Sequence, residues 1–260
     1  MNRETARRLA QGLLGKQMMP DLEMEGTGRI LEIRDMMKNL VELTDDDFGL
    51  YAWSREPLER KFDLEQKLNY VREAEKCGRR EAVSLKERYK SADPSAIAGE
   101  MGFKVSMPRI PTGGGHVIFA QYVEPDEITV FLDSAEKAEI LIKENSFGNL
   151  LQNVEVCSLL LAHEIFHGLE YRKEDSIYTR TEKVELWKKP FSNRSRLVCL
   201  SEIAGMAFAK ELLGISFSPY VFDVLLMYGY HAEAATALYE EIMEIAGAAE
   251  ERMEVSYAHE

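Results

Sequence analysis

Leu159-Leu160-Leu161-Ala162-His163-Glu164-Ile165-Phe166-His167 sets the pattern His-Glu-x-x-His inside an apolar, helix-favouring run. In an α-helix, positions four apart lie nearly above one another, so His163 and His167 aim two imidazole nitrogens at one point. Glu164 falls about a quarter-turn away. That offset suits a residue that does not bind the metal but takes a proton from water beside it. The flanks extend the helix. Leu150, Val154, Cys157, Leu161, Ile165 and Gly168 recur at helical spacing, and Val156, Leu160, His163, His167 and Tyr171 form a second stripe. Together they predict a buried helix over residues 149–172. Two histidines and a carboxylate are costly in such a place unless something pairs with them. Core histidines satisfied by hydrogen bonds are one solution; a metal ion is the other, and the spacing favours it.

A catalytic zinc site commonly has three protein ligands and one open position, so a further donor is required. Glu202 is the best candidate. It lies in Ser201-Glu202-Ile203-Ala204-Gly205-Met206-Ala207-Phe208-Ala209, within a helix predicted over 196–213 that stops at Gly214. Gly205 and Ala209 share its stripe, and such small side chains let this helix approach the one bearing His163. Glu182, Glu185 and Cys199 are competitors with weaker context. The expected count is one Zn2+ ion held by His163, His167 and Glu202. A di-iron centre would need a second Glu-x-x-His pair, and the chain has none beyond Glu164-x-x-His167.

Composition narrows the compartment and partners. The chain has 260 residues, 45 of them acidic and 32 basic, and its net charge of -13 opposes direct binding to nucleic acid or to an anionic membrane. No run approaches the length of a membrane span and the N-terminus lacks a signal-peptide core, so a cytoplasmic protein is expected. Cys77, Cys157 and Cys199 form no Cys-x-x-Cys pair and read as core filling.

Along the chain, residues 3–18 and 29–43 read as helices, and Asp45-Asp46-Asp47 as a solvated connection, since an EF-hand loop begun there lacks the turn glycine. Residues 57–90 predict one long charged helix or two meeting near Gly78. Asp93-Pro94 starts a short helix that Gly102 closes. Residues 103–107, 117–123 and 128–132 read as strands, with a flexible turn at Gly113-Gly114-Gly115, and 134–143 as a helix.

At this point the chain resembles the ImmA/IrrE-type zinc metallopeptidases, a gluzincin branch of the zincins. The likeness rests on His163-Glu164-Ile165-Phe166-His167, on Glu202-x-x-Gly205-x-x-Phe208-Ala209-x-Glu211-Leu212-Leu213, and on the short helix, Gly102 and strands before them. It covers roughly residues 90–220. The metzincin extension, by contrast, would need Gly and His where Glu170 and Lys173 stand, and a thermolysin-like pattern would need Asp at Met206. Gly205 stands where the ImmA/IrrE family more often has alanine, and the span from His167 to Glu202 is long for it; residues 171–193 are expected as a loop that reshapes the substrate cleft. The resemblance implies an α+β, mostly helical zincin-like domain with a small sheet of three or more strands over 91–260, preceded by an N-terminal helical segment over 1–90. It also implies a zinc-dependent endopeptidase acting on a specific cytosolic protein, with Glu164 as general base. Tyr171, Tyr178, Tyr228 and His231 are candidate oxyanion donors. The alternatives are a zinc-binding regulatory module with little or no protease activity, and a purely structural helical protein that holds no metal.

Overall fold

Capping and burial patterns set the elements that carry the candidate site. The computed structural model describes residues 30–109, 118–187 and 193–257; the helix expected at 3–18 and the turn at 113–115 lie outside them. Helix α1, Ile33–Glu42, buries Ile33, Met36, Met37 and Leu40, the three-and-four spacing of an amphipathic helix. Asp45-Asp46-Asp47 is not a solvated connection: it opens helix α2, Asp45–Trp53. Thr44 and Asp47 form a reciprocal capping box, and the three carboxylates complement the positive end of the helix dipole. Asp45 accepts from the Lys210 ammonium and Asp46 from the Arg72 guanidinium, each at 2.7 Å.

A single 3-10 turn, Glu59–Lys61, leads to helix α3, Leu64–Tyr89, which runs through Gly78 unbroken. Helix α4, Pro94–Glu100, is capped by Asp93, and Gly102 follows its end at a φ of 72°. The three strands are shorter than the sequence predicts: β1, Lys104–Ser106; β2, Ala120–Val123; and β3, Glu127–Val130. They pair in the order β1-β3-β2, with β1 parallel and β2 antiparallel to β3, so among the described residues β2 lies at an edge.

Helix α5, Leu132–Glu144, precedes helix α6, Val156–Arg172, which carries the His-Glu-x-x-His run. The predicted start of α6 at 149 is too early. Gln152 and Asn153 both take left-handed φ angles of 53°, and the helix begins only where Glu139 accepts from the Val156 N–H at 3.0 Å. The stretch after α6 is built rather than irregular: a short helix α7, Tyr178–Thr181, and an antiparallel hairpin of β4, Val184–Trp187, and β5, Asn193–Ser195. Helix α8, Cys199–Leu213, follows, then α9, Val221–Tyr228, and α10, Ala232–Tyr257. The class is α+β and mostly helical, as predicted, with a two-stranded sheet added to the three-stranded one.

One hydrophobic cluster joins residues on both sides of position 90, among them Met36, Trp53 and Val71 with Phe119, Phe166 and Phe222. Within it α8 packs against α3 and against α6. On the α3 side the contact is between backbones: a Cβ at Gly78 would come within 2.0 Å of the Ala204 carbonyl oxygen. On the α6 side a Cβ at Gly205 would lie 2.9 Å from His163 Cε1. Adjacent small residues thus admit two helices to α8 from two directions. No helix among the described residues is long and apolar enough to cross a membrane.

Candidate metal centre

His163 and His167 share one face of α6, and Glu202 stands in the first turn of α8. The two Nε2 atoms are 2.9 Å apart, and the Glu202 oxygens lie 3.4 Å from His163 Nε2 and 3.6 Å from His167 Nε2. Donor atoms held tetrahedrally at bond lengths of about 2.0–2.2 Å stand about 3.3–3.6 Å from one another. The two Glu202 contacts are made by different oxygens, so the side chains converge on one point without yet having that spacing; one ligand atom from each of the three lies within 4.8 Å of the others. Among the described residues this is the only group of His, Cys, Asp and Glu side chains placed to hold a metal ion. All three residues are buried, His163 completely. Two imidazoles and a carboxylate suit a divalent transition-metal ion.

Glu164 sits beside this group without joining it. It is 2 % exposed, and its Oε1 has no hydrogen-bond partner among the described residues. Burial pushes its carboxyl up, against the pull of His167, His163 and a backbone hydrogen bond from Tyr122 in strand β2. A carboxyl raised in this way, next to converging donor atoms, is equipped for proton transfer.

The two histidines are held by different means. His167 Nδ1 lies 3.3 Å from Ser201 Oγ, and that hydroxyl donates to Glu170 Oε2 at 2.9 Å, an oxygen that also pairs with Arg180 at 2.9 Å. Because the carboxylate only accepts, the Ser201 proton points to Glu170 and its lone pair to the His167 Nδ1–H, so Nε2 is the nitrogen that would bind a metal ion on losing its proton. Burial lowers the pKa of His167, but Glu202, Glu170 and Glu164 outweigh it and raise it to about 9. Burial raises Glu170, and the His167 ring 4.0 Å away with the charge of Arg180 reverses this, bringing it to about 2. His163 has no such chain. Its Nδ1 is buried without a partner among the described residues, and the ring is fixed by packing beside Gly205.

The structure brings His163, Glu164, His167 and Glu202 together; the competing donors stand elsewhere. Glu182 follows α7 and Glu185 lies in β4, and neither joins the group. Cys199 donates its backbone N–H to Glu56, and burial, ahead of that carboxylate, raises the pKa of its thiol. Of the oxyanion candidates, His231 is engaged by the Ala234 N–H at the start of α10, and Tyr171 packs on Tyr122 with ring centroids 6.3 Å apart. Tyr178 and Tyr228 are half-buried outside the donor group. Sequence reasoning missed Ser201, Glu170 and Arg180. Glu170 carried a signal, since it follows His167 by three positions on the same helix face. A surface concavity of about 570 Å³, lined by Lys61, Phe62, Tyr70 and residues 183–185, shares no residue with the donor group.

No family model, curated protein or solved structure matches this chain.

Proposed function

We propose that this protein is a zinc-dependent hydrolase of peptide bonds, with His163, His167 and Glu202 holding one ion and Glu164 acting as general base. The observation that carries the reading is the buried Oε1 of Glu164, without a hydrogen-bond partner among the described residues, beside the converging side chains of His163, His167 and Glu202. A structural zinc site closes with a fourth protein ligand and has no use for such a carboxylate. When bound, zinc supplies a Lewis acid that lowers the pKa of water and polarises a carbonyl. Glu164 accepts the proton from the attacking water and returns it to the leaving amine. The Tyr122 backbone of β2 lies beside this base, and a peptide substrate would run near that strand. The substrate class we propose is a peptide bond in a specific protein, which is what the resemblance to the ImmA/IrrE-type peptidases implies.

The test compares zinc-loaded wild type with Glu164→Gln on casein and on host lysate. Wild type should generate discrete new fragments from lysate, and Glu164→Gln should lose about 10²–10⁴-fold in rate while keeping its zinc. Equal turnover by the two proteins would reject the role given to Glu164.

A further inference from the structure

Glu56 belongs to the N-terminal part of the chain, which supplies none of the proposed ligands, yet it reaches the helix that bears Glu202. It is 4 % exposed, between α2 and the 3-10 turn. One of its oxygens accepts from the Leu58 N–H at 3.2 Å, and the other accepts from the Cys199 N–H, also at 3.2 Å, across a sequence separation of 143. Cys199 is the first residue of α8, whose own N-cap, Val198, makes no side-chain cap bond. A buried helix terminus needs acceptors for its free N–H groups, and here another element supplies a carboxylate. Three residues further along this anchored first turn, Glu202 directs one oxygen toward each histidine, at 3.4 and 3.6 Å.

We infer that Glu56 is a positioning residue for the metal centre: by capping α8 from outside, it fixes the first turn in which Glu202 is aimed at His163 and His167. The inference rests on the metal reading above. Lys86 provides an internal comparison. It also comes from the N-terminal part, and it binds the other end of α8 through the Glu211 carbonyl at 2.9 Å and the Glu211 carboxylate at 2.6 Å. It therefore supports the same helix far from the ligand turn.

The experiment measures zinc affinity by chelator competition and the visible spectrum of the cobalt(II) form for full-length wild type, Glu56→Ala, Glu56→Gln and Lys86→Ala. Glu56→Ala should weaken zinc binding roughly 10- to 100-fold and shift the cobalt bands. Glu56→Gln, whose amide oxygen still accepts from the Cys199 N–H, should restore both readouts. Lys86→Ala should lower the melting temperature without moving either one. If wild type binds zinc and Glu56→Ala matches it, or if Lys86→Ala loses as much affinity, the inference is overturned and the metal reading stands. If wild type binds no zinc, both fall. If Glu56→Ala does not fold, Glu56→Asp, one methylene short of Cys199, carries the comparison: a partial loss of affinity supports the inference and an unchanged affinity overturns it.

Discussion

Helix α8 meets α3 and α6 through adjacent positions, and the two contacts do different work. At the α3 face, Gly78 lies against the Ala204 carbonyl, backbone on backbone, with no polar side chain between them. At the α6 face, Gly205 lies against the His163 ring. Both contacts depend on a missing Cβ. The first sets where the helix runs; the second sets where one imidazole points. The aim of a buried donor group therefore depends on a helix crossing that has no chemistry of its own, made by a helix outside the stretch that carries the motif.

Substitutions separate the two contacts. Gly78→Ala should have the largest effect. Alanine gains about 1 kcal/mol of helix propensity, but a carbonyl oxygen 2.0 Å from the new Cβ cannot rotate aside. A net loss of about 3 kcal/mol is expected, read from denaturant midpoints; a variant as stable as wild type would break the account of the α3 crossing. Glu170→Gln comes next. Its carboxyl is held at about 2 in the fold against 4.5 ordinarily, so its stabilisation is fully present above pH 4.5 and is lost as pH falls toward 2. The variant should lose about 2–3 kcal/mol at neutral pH, show a flatter acid limb, and bind zinc roughly 10- to 100-fold more weakly because His167 loses its support. Gly205→Ala should have the smallest effect and the most selective. The neighbour here is a ring that shifts by a few tenths of an ångström, so stability should stay near wild type while zinc affinity falls about tenfold, or about 1.4 kcal/mol. If Gly205→Ala instead destabilises the fold as much as Gly78→Ala, the two faces are not different in kind.

The same contrast marks what was legible in the sequence. His163, Glu164, His167 and Glu202 stood out because metal chemistry demands particular residue types at a helical spacing, and α8 showed its small-residue stripe and its stop at Gly214. Gly78 did not stand out as a contact, because a glycine in a charged helix reads equally as a break, and its partner lies far away in sequence. The start of α6 was placed early because Leu150 and Val154 continue its apolar stripe, whereas the left-handed angles at Gln152 and Asn153 leave no periodic trace. Asp45–Asp47 looked like a cluster of solvated charge until Thr44 and Asp47 were paired as a capping box. Arg180 and Glu56 act on the site through contacts that only folding creates.

The central claim is that His163, His167 and Glu202 hold one metal ion. Elemental analysis of protein purified without added metal, then exposed to zinc and dialysed, tests it most directly. About one zinc per chain is expected for wild type, falling to a small fraction in the His163→Ala/His167→Ala double variant while the helical circular dichroism is retained. A wild-type chain that retains no zinc after this treatment would contradict the account.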